Sequence, residues 1–568
     1  MNFCQFRSAH AAGLVALVLV LSCANGVAPS STVQASHPQT SAAAPSSRPT
    51  RRLERVLHYI DSAWGALSRD LNDLPKAARD PKFHHQTRWP IYIPRKDDVA
   101  HLKPKLELLL KRHHASDVYI DILPEKYSDI TTQGLLYLPY PYVVPGGRFN
   151  EMYGWDSYFT LTGLLKSGTP SQVALAKAMT DNALYQVQYY GKVLNANRTY
   201  FLERSQPPFL SRMVLEVFER VPDEGWLKRA LPLLERYYAL WMAPPKYTPS
   251  TGLSRYYAGG SGPAPEVLAD EVDEHGLSHY DRVKAAFRAG DGKEYRAGRF
   301  YREKDDELTM EFFTADRSMR ESGFDPSERF GPFNLGVIDH NPVCLNTLLY
   351  VMEQDIAWVY AHFGDTRTAR TWTRRSEKRK AAIQRTMWDE KAGLFLDYNF
   401  VTRKRRDYPF VVTYWPMWAG IATASQAKRL VDNLSVFGAP GGLMTSAKRT
   451  GNQWDAPFGW GNLEQMAVLG LRRYGYDKDA NQVARAFVDV VVKEFGEHGT
   501  IFEKYDLVAR ESAVARGIRF GYSKNQIGFG WTNAAVLILL DPAVGRPPLG
   551  PKVSLSIPAW EEKHGPSH

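Results

Sequence analysis

Two carboxylic acids, Asp325 and Glu503, stand in sequence contexts that suit acid–base chemistry. Asp325 lies between Phe324 and a proline, and packing a carboxyl against apolar groups raises its pKa, as a general acid requires. An aspartate before proline also commonly caps a helix, and on these residues alone we favour the cap. Glu503 follows two apolar residues, so that Lys504 or Tyr505 could help to keep it ionised. A surface Glu–Lys pair explains that pattern equally well.

A second set of candidate residues lies in the segment 145–158, where a Pro-Gly-Gly turn precedes Arg148 and where Trp155 adjoins Asp156. An aromatic plate beside a hydrogen-bond acceptor is what a hexose requires, because its C–H face packs on a ring and its hydroxyls need polar partners. An Arg–Asp salt bridge that caps a helix explains the same residues equally well.

Two further segments have the composition of binding loops. Residues 195–208 offer two Asn, two Arg and a Gln before a pair of prolines, a density of polar groups that suits a neutral polyol. Residues 453–460 contain two Trp and a Pro, which could form one wall of a pocket. A polar connector and a structural aromatic cluster are the respective alternatives. Long loops without secondary structure of their own are commonly functional or disordered, and these loops are too aromatic to be disordered.

The elements that must position these loops have helical periodicity. Apolar residues recur at spacings of three and four in residues 231–241, 343–363, 369–388, 463–471 and 481–495. Pro232 would be tolerated only near a helix start, and Gly364 is expected to end the second helix. No long βαβ alternation occurs, and no Gly-rich nucleotide loop follows a strand. The periodicity predicts an all-α protein and leaves a bundle, a solenoid and a toroid open.

Composition limits the classes of partner. The chain has 568 residues, 44% of them apolar, and a formal charge of +10. Its basic residues are scattered, and the dense cluster at 374–380 lies in a predicted helix, which is typical of a solvated face. No nucleic-acid-binding motif accompanies it, so we expect no nucleic-acid partner. The three cysteines, Cys4, Cys23 and Cys344, form neither a disulfide framework nor a zinc-binding spacing, so we expect no metal.

Taken together, the segments resemble the trehalases of glycoside hydrolase family 37. Residues 145–158 are similar to the signature P-G-G-R-F-x-E-x-Y-x-W-D-x-Y, and residues 453–460 are similar to Q-W-D-x-P-x-G-W. Shorter matches follow the family's order at residues 204–208, 321–325, 503–506 and 528–533. The resemblance spans about residues 145–540, and several long motifs in order are highly specific.

The resemblance implies a six-hairpin (α/α) toroid with the site in its loop-covered mouth. It implies hydrolysis of α,α-trehalose to two glucose molecules with inversion of configuration and without a cofactor. By motif position Asp325 would be the general acid, in preference to a helix cap, and Glu503 the general base. The sugar contacts that it implies are Arg148, Trp155, Asp156, Asn195, Arg204, Ser205, Gln206 and Gly323. The protein would bind the disaccharide as a monomer and would have no stable membrane-spanning segment.

The chain departs from the family at two places that bear on the site. Where the family has Arg-Pro-Glu, this chain has residues 264–266, Ala-Pro-Glu, which retain Glu266 as a contact but lack the arginine. The arginines that could compensate are Arg296, Arg299 and Arg302. Where the family often has Gly-Gly-Glu-Tyr, residues 520–523 are Phe-Gly-Tyr-Ser, which removes a carboxylate from the lid. Two alternatives therefore stay open, a related toroidal α-glucosidase acting on another α-glucoside and an inactive extracytoplasmic sugar-binding protein.

The termini differ in composition from the rest of the chain. The apolar run 11–21 has the length of a signal-peptide core and is too short to span a bilayer comfortably. We predict a signal peptide at 1–28, a disordered Ala/Ser/Pro-rich linker at 29–50, the toroid at 51–545 and a Pro/Gly-rich tail at 546–568. Secretion to the periplasm is the expected outcome. Lipid anchoring through Cys23 is an alternative, which Leu21 fits poorly.

Overall fold

Helices dominate the computed structural model, which describes residues 48–270, 276–290, 298–522 and 524–542. Contacts between backbones divide the chain after Arg48, where the first helix begins, inside the segment predicted as a linker. The predicted signal peptide, most of that linker and the predicted tail lie outside the described residues, as does Cys23. Within the described part of the chain, no helix is both long enough and apolar enough to cross a membrane.

The α-helices of the described residues are α1 (Arg48–Leu67), α2 (Leu74–Ala78), α3 (Val99–Arg112), α4 (Gly154–Ser167), α5 (Pro170–Tyr190), α6 (Leu210–Arg220), α7 (Glu224–Met242), α8 (Pro265–Asp270), α9 (His279–Ala289), α10 (Met310–Glu321), α11 (Val343–His362), α12 (Thr366–Met387), α13 (Trp415–Trp418), α14 (Ala424–Asp432), α15 (Gly461–Arg473), α16 (Asp477–His498) and α17 (Gly530–Leu540). The strands are β1 (Ser68–Arg69), β2 (Trp89–Ile93), β3 (Val118–Ile122), β4 (Leu135–Leu136), β5 (Tyr142–Val143), β6 (Tyr247–Thr248), β7 (Leu253–Ser254), β8 (Tyr301–Arg302), β9 (Glu307–Leu308), β10 (His340–Asn341), β11 (Trp388–Asp389), β12 (Leu394–Phe395), β13 (Tyr398–Asn399), β14 (Lys404–Arg405), β15 (Gly438–Ala439), β16 (Gly442–Leu443), β17 (Phe458–Trp460) and β18 (Lys504–Asp506).

Six helices form a closed inner ring. In order, α4, α6, α11, α13, α15 and α17 each pack against the next, and α17 packs against α4 to close the ring. Because an inner helix has neighbours on all sides, it is apolar around most of its circumference. In α4, every residue from Gly154 to Leu165 is buried. This ring, with a second layer of helices around it, is an (α/α) toroid and confirms the predicted fold class.

The outer helices cover the ring with one apolar face each. Helix α5 packs on α4 and α6, α7 packs on α6 and α11, α12 packs on α11, and α16 packs on α15 and α17. The helices predicted at 343–363 and 369–388 are α11 and α12. In α12 most of the basic cluster is exposed, whereas Arg379 is buried and its Nε donates a hydrogen bond to Glu353 Oε1 at 2.8 Å.

One predicted helix begins earlier than expected. Pro232 lies in the interior of α7, because the helix starts at Glu224 and not near the proline. The Asp223 side chain accepts a hydrogen bond from the backbone N–H of Trp226 at 2.9 Å and so caps the helix at that earlier point. A cap with a side-chain acceptor and tertiary packing of the apolar face outweigh the hydrogen bond lost at the proline.

No sequence pattern predicted a small parallel sheet near the amino terminus. Strands β3, β2 and β4 lie side by side, with β2 parallel to both neighbours and α3 as the crossover between β2 and β3. All five residues of β2 are buried, and a short apolar run of this kind has no periodicity that separates a strand from a helix. Arg198 anchors this unit to the loop 195–208 by donating to the carbonyls of Ala77 and Ala78.

Candidate active site

The loops that enter the inner helices meet at one end of the toroid. The segments around 145–158, 195–208, 453–460 and 524–529 directly precede α4, α6, α15 and α17, so the polar residues of each loop reach the same mouth. A cavity that is open to solvent lies there. Of the residues predicted from the sequence, those that line it are Arg148, Trp155, Asp156, Asn195, Arg204, Gln206, Glu266, Gly323, Asp325 and Glu503.

Glu503 is held at the cavity wall by strand pairing. Strands β17 and β18 are antiparallel, with Trp460 opposite Lys504, so the Trp-rich segment and the candidate base share one small sheet. The Glu503 backbone N–H donates to the Gln526 carbonyl at 2.9 Å, and its own carbonyl accepts from Trp531 Nε1 at 3.2 Å. The backbone of Glu503 is therefore fixed on both sides.

The Glu503 carboxylate is buried and accepts two hydrogen bonds. Lys504 Nζ donates to Oε2 at 3.3 Å, and the Tyr522 hydroxyl donates to Oε1. Burial lowers the pKa of Lys504 to about 8, against the opposing attraction of Glu503. Tyr505, the other predicted partner, instead uses its hydroxyl to accept from the Phe502 N–H at 3.0 Å.

Asp325 occupies the opposite kind of environment. Its side chain is 36% exposed, and Arg320 Nη1 lies 3.7 Å from Oδ2. No α-helix starts after Asp325 in the described chain until α11, so it does not cap a helix. The apolar packing predicted for this carboxyl belongs to its neighbour, because Phe324 is fully buried and contacts the Trp155 and Trp454 rings. Asp325 thus faces the cavity beside a guanidinium group.

Asp156 completes a group of three carboxyl groups. It lies in the first turn of α4, is buried and lines the cavity. Burial raises the pKa of Asp156 well above its usual value, and repulsion from Glu503 and then Asp325 raises it further. A protonated carboxyl can donate as well as accept a hydrogen bond, which suits contact with a sugar hydroxyl.

Three arginines supply guanidinium donors to the cavity. Arg204 Nη2 lies 2.5 Å from Glu266 Oε1, and its guanidinium lies over the Phe201 ring. The Arg148 guanidinium lies 4.6 Å from the centre of the Tyr522 ring. The third is Arg320, which was not predicted although it directly precedes the Glu-Ser-Gly motif.

Two of the arginines expected to compensate for the missing Arg-Pro-Glu arginine, Arg299 and Arg302, do not line the cavity. Arg299 pairs with Asp339 at 2.9 Å and with Glu311 at 2.7 Å. Arg302 is exposed and pairs with Glu307. Arg296 lies outside the described residues. The position of Arg320 in the cavity depends on how α10 packs in the fold, and no local sequence pattern predicts that packing.

Ser205 lies behind the cavity, which differs from the predicted sugar contact. Its hydroxyl donates to the Val193 carbonyl at 2.6 Å and lies 2.8 Å from the Tyr237 hydroxyl. Gln206 has a supporting contact as well, because its Oε1 accepts from the Trp155 backbone N–H at 2.9 Å. These bonds hold the loop 195–208 against the start of α4.

Gln453 connects the two sides of the cavity, and its role was not predicted beyond its place in the 453–460 signature. Its Oε1 accepts from Lys504 Nζ at 3.0 Å and from the Tyr522 backbone N–H at 3.4 Å. Its Nε2 donates to the Asp325 carbonyl oxygen. One carboxamide therefore links the backbone of the candidate acid to the neighbours of the candidate base.

Gly323 allows Trp155 to approach the site, which leads to a prediction for Gly323→Ala. Its φ is +79°, and an added Cβ would lie 2.8 Å from Trp155 Cζ2. We expect the substitution to lower the free energy of unfolding by about 2–5 kcal/mol, because left-handed strain and overpacking add. Displacement of the ring should also raise KM. Urea denaturation and steady-state kinetics measure both effects.

Gly364 provides the matched control, because its φ is +82° but nothing lies within 4 Å of an added Cβ. Gly364→Ala should lower the free energy of unfolding by about 1–2 kcal/mol, through backbone strain alone, and should leave KM unchanged. Equal losses of stability in the two variants, with equal KM values, would contradict the proposed contact between Gly323 and Trp155.

A candidate metal-binding group lies away from this cavity. Among the described residues, Glu494, Glu497 and His498 of α16 have side-chain ligand atoms close enough to share an ion. Glu494 Oε2 already accepts from the Ser512 N–H at 2.8 Å and the Ser512 hydroxyl at 2.6 Å. None of these residues lines the cavity at the mouth of the toroid.

The fold and the cavity together define a class of protein. Two carboxyl groups in contrasting environments face a cavity that also offers guanidinium donors and tryptophan rings, at the mouth of an (α/α) toroid. Most glycoside hydrolases use such a pair of carboxyl groups, one on each side of the glycosidic bond that they cleave. The family model described as Trehalase matches residues 25–543. The chain belongs to the trehalase family.

Relatives and a solved structure agree with this assignment. A cytosolic neutral trehalase of Emericella nidulans is 34% identical over 575 residues, covering 87% of this chain and 73% of the relative. A cytosolic neutral trehalase of Saccharomyces cerevisiae is 32% identical, covering 86% of this chain and 71% of the relative. The solved structure of a neutral trehalase from Saccharomyces cerevisiae has a TM-score of 0.72 at 32% identity, covering 86% of this chain and 94% of that one.

These relatives correct one prediction. Their names describe cytosolic enzymes, which contradicts the signal peptide, the secretion and the periplasmic location predicted from the amino terminus. That prediction is wrong. It depended on the length and apolar composition of residues 11–21, and those properties show only that a segment is hydrophobic.

Proposed function

We propose that this protein hydrolyses α,α-trehalose to two glucose molecules with inversion, using Asp325 as general acid and Glu503 as general base. The observation that carries the proposal is that both carboxyl groups line one cavity. Asp325 is partly exposed beside Arg320, whereas Glu503 is buried and accepts hydrogen bonds from Lys504 and Tyr522.

The reaction follows from the chemistry of an acetal. Asp325 gives its proton to the bridging oxygen as the bond to the anomeric carbon breaks, so the first glucose leaves as a neutral alcohol. Glu503 removes a proton from a water whose oxygen bonds to the opposite face of the same carbon. An inverting enzyme holds its two carboxyl groups roughly 6.5–9.5 Å apart, which leaves room for that water. These two proton transfers need no cofactor.

The remaining cavity residues suit a neutral sugar. Arg148, Arg204 and Arg320 offer several N–H donors each, and guanidinium groups can bind neighbouring hydroxyls together. Glu266 Oε2 and Arg204 Nε are buried without a hydrogen-bond partner among the described residues. Buried polar atoms of that kind normally have a partner, and a sugar hydroxyl would supply one. We further propose that the chain acts as a monomer.

Stereochemistry tests this proposal. If one half of trehalose leaves with its configuration retained and the other is inverted, the first products are equal amounts of α-glucose and β-glucose. Proton NMR during the first minutes, before mutarotation, should show that ratio. The production of α-glucose alone would indicate retention and contradict the assigned roles.

A panel of disaccharides tests which substrate the protein hydrolyses. Trehalose should release glucose, whereas maltose, kojibiose and nigerose should release little. Activity on one of those three but not on trehalose would favour an α-glucosidase. Sugar binding without hydrolysis of any of them would favour a binding protein. The trehalase relatives favour neither of those outcomes.

A further inference from the structure

We propose that Tyr522 is a positioning residue for the base, because its hydroxyl fixes the Glu503 carboxylate in the orientation from which it deprotonates water. The inference rests on the proposed function, since it takes Glu503 as the base. Tyr522 stands in the segment 520–523, where the sequence departs from the family pattern. A tyrosine there gives the carboxylate a donor and adds no negative charge to a cavity that already contains Asp156 and Asp325.

Two cations lie close to the Tyr522 ring. Lys504 Nζ lies 3.8 Å from its centre and the Arg148 guanidinium lies 4.6 Å from it. The Phe149 ring contacts the Tyr522 ring edge-on, with 6.0 Å between the ring centres. The Tyr522 backbone N–H donates to Gln453 Oε1 at 3.4 Å. Cation–π contacts of this kind stabilise a fixed ring orientation. The hydroxyl is therefore held at Glu503 by the packing of the whole side chain.

The Tyr522 hydroxyl fixes the second oxygen of the Glu503 carboxylate, which Lys504 alone does not. Glu503 has a flexible side chain, and a single donor on Oε2 leaves the carboxylate plane free to turn. Tyr522 donates to Oε1 while Lys504 donates to Oε2 at 3.3 Å, so the two oxygens are fixed independently. Small displacements of a catalytic group can cost large factors in rate, because the reacting atoms must be aligned.

The electrostatic surroundings keep the hydroxyl in its donating form. Burial raises the pKa of Tyr522 well above its usual value, and the Glu503 charge raises it further, against the opposing effect of Arg148. The charged or titratable groups around Glu503 are Lys504, Tyr522, Arg148, Asp156 and Asp325.

The test is Tyr522→Phe, which removes the hydroxyl and retains the ring and its two cation contacts. We expect kcat for trehalose to fall roughly 10–100-fold with KM changed less than about 3-fold, since misalignment of the base affects the transition state. Tyr360→Phe is the matched control, because its hydroxyl donates to Glu235 at 2.8 Å outside the cavity and its loss should leave kcat and KM unchanged.

A double-variant cycle separates positioning from a general structural effect. If Tyr522 acts through Glu503, Tyr522→Phe should cause little further loss in a Glu503→Gln background. An unchanged kcat in Tyr522→Phe, a rise in activity, or a full additional loss in the double variant would overturn the inference. Absence of trehalose hydrolysis by the unaltered protein, or full activity of Glu503→Gln, would instead overturn the proposed function.

Discussion

Asp325→Asn should lower kcat for trehalose by about 10²–10⁴-fold, the contribution typical of a general acid. An amide has no acidic proton to give to the bridging oxygen, and a sugar alkoxide is a poor leaving group. The fold should tolerate the change, because the Asp325 side chain is 36% exposed and its contact with Arg320 is long, at 3.7 Å. Initial rates of glucose release measure the effect, and urea denaturation checks the fold.

A substrate with an activated leaving group identifies which step has been lost. Fluoride leaves from α-glucosyl fluoride without protonation, so Asp325→Asn should retain much more activity on it than on trehalose. Glu503→Gln should lose activity on both, because both reactions need an activated water. Equal losses on the two substrates in Asp325→Asn would show that Asp325 is not the acid.

Arg329→Met should lower the free energy of unfolding by about 3–5 kcal/mol, the usual cost of removing one partner of a buried ion pair. Arg329 is fully buried, and its Nε and Nη2 donate to the two oxygens of Asp397, each at 2.7 Å. Asp397 Oδ1 also accepts from the N–H of Val343 at the start of α11, at 2.8 Å. Without Arg329 that carboxylate is left with an uncompensated charge. Urea or guanidinium denaturation measures the loss.

Removing both charges is the control for that prediction. Arg329→Met combined with Asp397→Asn should recover part of the lost stability, because no isolated charge remains in the interior. A loss below about 1 kcal/mol in the single variant, or no recovery in the double variant, would show that the pair contributes little.

The parts of the site that could be predicted are those contained within one loop. Trp155 and Asp156 adjoin in the sequence and both line the cavity, and so do Asp325 and Glu503, which the family resemblance selected. Arg320 was missed because its place in the cavity depends on the orientation of α10. Tyr522 was read only as the loss of a lid carboxylate, since its contact with Glu503 joins two segments that fold together.

The same distinction holds for the fold. The periodicity predicted α11 and α12 closely, because a long amphipathic helix repeats its pattern over several turns. The parallel strand β2 is too short to show a period, and the start of α7 depended on the cap at Asp223. The choice of a toroid came from the family resemblance, because closure of the ring requires contacts between distant helices.

The contact of α17 with α4 also has a consequence for synthesis on the ribosome. The ring is complete only when its last member joins its first, and those helices begin at Gly530 and Gly154. At a synthesis rate of about 5–20 residues per second, roughly 20–80 s pass between the synthesis of α4 and that of α17. During that time an apolar face of α4 lacks its native cover in the nascent chain. A chaperone that binds hydrophobic segments during translation would find a long-lived target there.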